Sequence, residues 1–161
     1  MIEIRKYTEA DKEQIWAIIK FVIAAGDSFT LSPDSKREEM LTDWCSVEKQ
    51  TYVAFSENKI VATFYIKPNQ PGLGSHVANG SYMVAPEARR TGIGRKIGEF
   101  SIAEAKRLGY HAMQFNFVVK SNEKAVRLWQ SLGFEIIGEI QEAFRHIENG
   151  LTNALIMYRK L

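Results

Sequence analysis

The residues best equipped for chemistry lie together in the stretch Tyr82-Met83-Val84-Ala85-Pro86-Glu87-Ala88-Arg89-Arg90-Thr91-Gly92-Ile93-Gly94-Arg95-Lys96. Gly92 and Gly94 remove Cβ atoms where the backbone must turn, which lets a ligand approach the main chain closely. Pro86 cannot donate to a sheet ladder and biases Ala85 toward extended geometry, so a strand is predicted to end there. A helical pattern follows the glycines, and the unpaired N–H groups of a helix start point back into the turn. That end of a helix carries about half a unit of positive charge. Arg89, Arg90, Arg95 and Lys96 nevertheless crowd it. A bound polyphosphate offsets the repulsion, and the turn is read as a phosphate site.

Two common phosphate motifs do not fit. The dinucleotide fingerprint needs a third glycine at position 97, but Ile97 stands there and Gly98 falls one residue late. No acidic residue for a ribose lies at the tip of a following strand about twenty positions on. A nucleotide P-loop would end in Gly-Lys-Ser or Gly-Lys-Thr, and neither occurs. What remains is R-x-x-G-x-G over Arg89-Arg90-Thr91-Gly92-Ile93-Gly94. It resembles the acyl-CoA signature of the GCN5-related N-acetyltransferase (GNAT) superfamily.

A second stretch strengthens the resemblance. Asn122-Glu123-Lys124-Ala125-Val126-Arg127-Leu128-Trp129-Gln130-Ser131-Leu132-Gly133-Phe134 is similar to the family pattern N-x-x-A-x-x-L-Y-x-x-x-G-F. The resemblance implies a GNAT fold of the α/β (α+β) class, with a mixed sheet of about seven strands and about four helices, splayed at the CoA-binding strands. It implies acetyl-CoA as co-substrate, no metal, and transfer of the acetyl group to an amine. By motif position it assigns cofactor contacts to Met83, Val84, Arg89, Arg90, Thr91, Gly92, Ile93, Gly94, Asn122 and Trp129. The backbone N–H near Val84 would face the thioester oxygen.

Trp129 departs from the pattern, because many members place there a tyrosine proposed to protonate the thiolate. An indole N–H is a donor but no usable acid. Trp129 then packs against the pantetheine arm or the core, and the thiolate leaves without a protein acid or is served by Tyr82 or Tyr158. The base is open as well, since no acid sits within His76–Val84. His76 is the nearest titratable candidate, with surface placement as its other reading. Asn116 is the one strongly polar residue in Phe115–Val119, so it either fills a strand gap or contacts substrate or pantetheine. Asn79 and Tyr82 share the neighbouring strand and are candidates for the acceptor pocket.

These residues need a scaffold, and the chain of 161 residues is long enough for one domain with a sizeable core. Periodicity gives a strand at Ile2–Arg5, a helix from about Thr8 to Ala25, and a second helix carrying Met40, Leu41 and Trp44. Strands are expected at Thr51–Ser56, Lys59–Lys67, His76–Val84, Tyr110–Val119, Phe134–Ile140 and Asn153–Tyr158, with a loop around Phe144-Arg145-His146. Helices are expected from Gly92 to about Leu108 and from Asn122 to Leu132. Gly94, Gly98, Ser101 and Ala105 form a small-residue line that would let the first of these lie close on the sheet.

A net charge of +2 is too slight for a nucleic-acid footprint. Cys45 is the single cysteine, which excludes an internal disulfide, favours a cytoplasmic location and reads as a packing residue. The apolar run Ile15–Ala25 is too short to cross a bilayer. The expected partner is a small-molecule amine, with no nucleic acid or membrane; a homodimer is compatible with the reading. Two rivals are a non-catalytic acyl-CoA sensor and an enzyme acting on protein N-termini or lysines.

Overall fold

The computed structural model describes residues 1–161. In chain order the elements are β1 (Glu3–Lys6), α1 (Lys12–Ala25), α2 (Arg37–Trp44), β2 (Gln50–Ser56), β3 (Lys59–Pro68), β4 (Val77–Val84), α3 (Ile93–Arg107), β5 (Ala112–Val119), α4 (Glu123–Ser131), β6 (Glu135–His146) and β7 (Gly150–Lys160). The strands form one seven-stranded sheet in the order β1-β2-β3-β4-β5-β7-β6. All neighbours are antiparallel except β4 and β5.

Alternation along the central strands sorts the helices to two faces. Tyr52, Phe64 and Tyr82 share one register line, and their rings stack at 5.2 and 5.6 Å. Phe100 of α3 meets this line edge-on against both Tyr52 and Phe64. The next line, Val53, Thr63 and Met83, points to the opposite face, where Trp44 of α2 donates its indole N–H to Thr63 Oγ1 at 3.0 Å. Helices α3 and α4 therefore cover one face, and α1 and α2 the other.

The pair β4–β5 holds only at Val77↔Ala112 and Ala78↔Met113, after which the strands part. Two sequence features separate them. Pro86 ends β4 two residues beyond Val84. On β5, register passes from Phe115↔Met157 to Val118↔Leu155, leaving Asn116 and Phe117 opposite the single residue Ile156. A bulge of this kind bends its strand and raises local twist.

Strands β6 and β7 are longer than alternation predicts. Phe144, Arg145 and His146 pair with Thr152, Leu151 and Gly150 instead of forming a loop. Register shifts at Ile136/Gly138 and Ile140/Phe144 break the period-two pattern and hide the strand. The small-residue line of α3 also serves a different neighbour: Gly94 faces Leu128 and Gly98 faces Leu132 and Trp129 of the α4 segment. Further along, Ser101 meets the sheet through Tyr82.

Candidate active site

Beyond Val84 the chain makes one more ladder contact, Ala85 N–H to Val61 O at 2.9 Å, and then a single turn over Pro86–Ala88. Arg90 and Gly92 both adopt the left-handed conformation, at φ 66° and 83°. Thr91 Oγ1 donates to Ala88 O at 2.6 Å and ties the turn together. Helix α3 starts at Ile93, and its first internal bond is Lys96 N–H to Gly92 O. The N–H groups of Ile93, Gly94 and Arg95 thus have no acceptor in the helix. No atom lies within 4 Å of where a Gly92 Cβ would be, so that side of the turn is open.

The cations around the turn are divided in their contacts. Arg89 lies over the Phe21 ring of α1 at 5.1 Å. Arg95 reaches Ser131 Oγ at 2.7 Å and Glu99 at 3.5 Å. Arg90 and Lys96 are exposed and make no ion pair, which leaves them free for an anion.

A cavity of about 390 Å³ occupies the gap between β4 and β5. On the α3–α4 face it is lined by Gly94, Ile97, Asn122, Ala125, Leu128 and Trp129. On the other face the lining comes from Phe29 and Leu31 of the α1–α2 loop, Asp43 and Trp44 of α2, and Tyr65 of β3. Asn79, Ser81, Tyr82 and Val84 of β4 and Phe115 and Asn116 of β5 form the walls between. The space therefore runs through the sheet, from the glycine turn side to the wall built by α1 and α2.

Of the residues singled out in the sequence, Asn79, Tyr82, Val84, Gly94, Asn116, Asn122 and Trp129 line this cavity. Met83 and Ile93 are only 1% and 2% exposed, and their side chains belong to the core; the ladder turns the Met83 backbone to Thr63 of β3, whereas the Ile93 N–H has no helical acceptor. Asn122 caps α4, accepting from Ala125 N–H at 3.4 Å. Asn116 donates to Asn69 Oδ1 at 2.6 Å and accepts from Gln114 Nε2 at 2.9 Å, so its amide both satisfies the bulge and borders the cavity. Asn69 and Gln114 carry no motif and were invisible as partners in the sequence.

His76 is not brought to the site. It is exposed at the residue before β4, outside the cavity lining, with its ring 6.2 Å from that of His111. Tyr158 lines a separate groove with Arg95 and Arg159. Tyr82 is present, but burial pushes its phenol well above the ordinary tyrosine range, and its proton is donated to Ser101 Oγ at 2.8 Å. Asp43 is the one carboxylate in the lining, and Lys49 Nζ holds it at 2.8 Å. Neither an unpaired carboxylate nor an imidazole borders the cavity.

Trp129 is 7% exposed and lies 4.5 Å from Phe115, 4.8 Å from Tyr82 and 5.4 Å from Phe134, ring centre to ring centre. Its substitution for tyrosine fills an aromatic cluster that floors the cavity. Cys45 lies outside, half-buried at the end of α2, and burial pushes its thiol up to about 11. A thiol so raised is inert packing at neutral pH.

The overall shape and sequence have clear relatives. A GCN5-related N-acetyltransferase from Kribbella flavida is 36% identical and superposes with a TM-score of 0.95, covering 99% of this chain and 98% of that one. N-acetyltransferase aca1 of Schizosaccharomyces pombe is 40% identical over 89 residues, or 55% of this chain and 43% of that protein. The chain thus matches less than half the length of that curated relative. A phosphinothricin acetyltransferase from Sinorhizobium meliloti, solved in complex with AcCoA, shares the fold at a TM-score of 0.88 with 20% identity, over 99% of this chain and 88% of that one. The acetyltransferase (GNAT) family model matches residues 14–134, and with the splayed seven-stranded sheet this chain belongs to that family.

Proposed function

We propose that the protein transfers an acetyl group from acetyl-CoA to the amine of a small molecule or amino acid, by direct attack. The observation that carries this reading is the through-sheet cavity, which joins the open glycine turn on one face to a separate wall on the other. A thioester entering from the α3 side would meet an acceptor entering from the α1–α2 side between Val84 and Asn116. The amine nitrogen forms a bond to the thioester carbonyl carbon, the C–S bond breaks, and the amine proton passes to the departing thiolate or to water. The backbone N–H of Val84, which the ladder turns away from β3, would stabilise the oxyanion, and the free N–H groups of Ile93 and Gly94 with Arg90 and Lys96 would hold the pyrophosphate.

The acceptor must arrive neutral, because the lining supplies no free base. A partly desolvating pocket of Phe29, Leu31 and Trp44 favours the uncharged amine. A cavity of about 390 Å³ shared with the pantetheine end suits a small acceptor better than a folded protein surface. The same lack of a base supports a second reading, a non-catalytic acyl-CoA sensor.

The first test is thermal stability with acetyl-CoA, CoA, NAD and ATP at equal concentrations. At 100 times its dissociation constant a ligand specific to the folded state stabilises by about 2.7 kcal/mol. Stabilisation by the two CoA species alone supports the cofactor, and thiol release with an amine panel then separates enzyme from sensor. A larger shift with NAD or ATP would remove the basis of the proposal.

A further inference from the structure

Tyr82 faces Ser101 across the junction of β4 and α3, and no packing requirement explains the pair. A phenylalanine at position 82 would stack equally well on Phe64, Phe115 and Trp129. The phenol adds one contact, O–H to Ser101 Oγ at 2.8 Å. Ser101 is fully buried in the middle of α3 and in turn donates to Gly98 O at 2.9 Å. A buried serine in mid-helix weakens a helix unless its hydroxyl has other work. Gly80 makes room for the same phenol, since a Cβ there would come 2.7 Å from Tyr82 Oη. Three positions on two elements are thus adapted to one hydroxyl.

The two elements carry the two halves of the proposed cofactor site. β4 ends in Met83 and Val84, and α3 begins at the glycine turn. Between them the chain crosses Ala85–Gly92, with Pro86, Glu87 and Arg89 to Gly92 all exposed and two residues in left-handed geometry. The bonds that hold this connection, Ala85 N–H to Val61 O and Thr91 Oγ1 to Ala88 O, do not reach the body of α3. The Tyr82–Ser101 bond ties the last residues of β4 directly to the third turn of α3.

We infer that Ser101 is a positioning residue: through its hydrogen bond to Tyr82 it sets the distance between the β4 backbone at Met83–Val84 and the α3 N-terminus, and so aligns the thioester carbonyl while the pyrophosphate is held. The inference rests on the acetyl-CoA reading above. Loss of the bond leaves the glycine turn intact, so CoA itself should bind as before, whereas the acetyl carbonyl loses its fixed donor.

The test uses the full chain with Ser101→Ala, Tyr82→Phe and the double variant, each titrated calorimetrically with CoA and with acetyl-CoA carrying ¹³C at the carbonyl. Acetyl-CoA affinity should fall about fivefold, the worth of one ordinary net hydrogen bond, while CoA affinity stays within about twofold. The double variant should be no weaker than either single one, as expected of partners in one bond. The bound carbonyl resonance, shifted downfield by its donor in the unsubstituted protein, should move back toward the free value in all three variants. An unmoved resonance, equal losses for CoA and acetyl-CoA, or additive losses in the double variant would each overturn the inference alone. An unsubstituted protein that binds neither CoA species would overturn the functional reading with it.

Discussion

Gly98 lies under Leu132 so closely that a Cβ on the glycine would stand 2.7 Å from Leu132 Cδ1 and 3.2 Å from Trp129 Cζ3. The missing side chain is what lets α3 and α4 close over the cavity floor. Gly98→Ala gains helix propensity of about 1 kcal/mol. Overpacking a buried contact costs about 1–3 kcal/mol, and the indole cannot yield as a flexible chain end can. The net expectation is a destabilisation of about 1 kcal/mol, seen as a lower urea midpoint at unchanged slope. A raised midpoint would show that α4 is free to shift.

Gly92 offers the opposite situation, open space and a left-handed backbone. Gly92→Glu should fold, at a conformational cost of about 1–2 kcal/mol. Its carboxylate would sit at the free N–H groups of the α3 start and compete with any phosphate. CoA affinity should fall at least about a hundredfold, an effect on the order of 3 kcal/mol. Gly92→Ala carries the strain without the charge and should keep CoA affinity within a few-fold. Equal losses in both variants would attribute the effect to strain.

At the far end of α3, Arg107 and then Tyr52 hydrogen-bond Glu104 and hold its carboxyl down to about 2. A carboxyl whose folded pKa lies below its unfolded value stabilises the fold above the unfolded value, near about 4.3. That contribution is lost as pH falls through about 2. Asp11, held down by the Arg5 guanidinium and by Thr8, acts in the same direction. The stability gap between the unsubstituted protein and Glu104→Gln should be full at neutral pH and shrink across this acid window. Denaturant titration at several pH values measures it; a gap independent of pH would mean that Glu104 acts through packing alone.

His76→Ala should leave both acetyl-CoA affinity and any turnover unchanged, because the imidazole is exposed and outside the cavity lining. A loss of turnover with unchanged cofactor binding would return His76 to the chemistry through a bound acceptor.

The features legible in the sequence are those set by local backbone demands. Pro86 stopping β4, Gly92 at positive φ, Asn122 as a cap and Gly133 at φ 87° past α4 follow from the conformational limits of single residues. What stayed hidden depends on partners distant in sequence. The bulge at Asn116–Phe117 exists only relative to β7, so the sequence showed a lone polar residue and no bend. The small-residue line of α3 revealed a face, but the neighbour turned out to be α4 for Gly94 and Gly98. His76 is the nearest imidazole in sequence, but the fold leaves it outside the cavity lining. Arg89 carried the right charge for the turn but lies over Phe21.

Because β4 and β5 share only two register pairs, the seven strands behave as two smaller sheets joined at a corner, β1–β4 and β5–β7–β6. Within the first, β2, β3 and β4 close through neighbouring connections, which cost little loop entropy, while β1 reaches β2 only across α1 and α2. The second requires β5 to wait for β7, across the whole of α4 and β6. Pairings of greater sequence separation form more slowly. The far wall of the cavity, with Phe115 and Asn116, should therefore assemble after the stack of Tyr52 and Phe64, which needs only the β2–β3 hairpin. During refolding, the capacity to hold a ligand should lag behind burial of that stack, making competence a late event in the life of each chain.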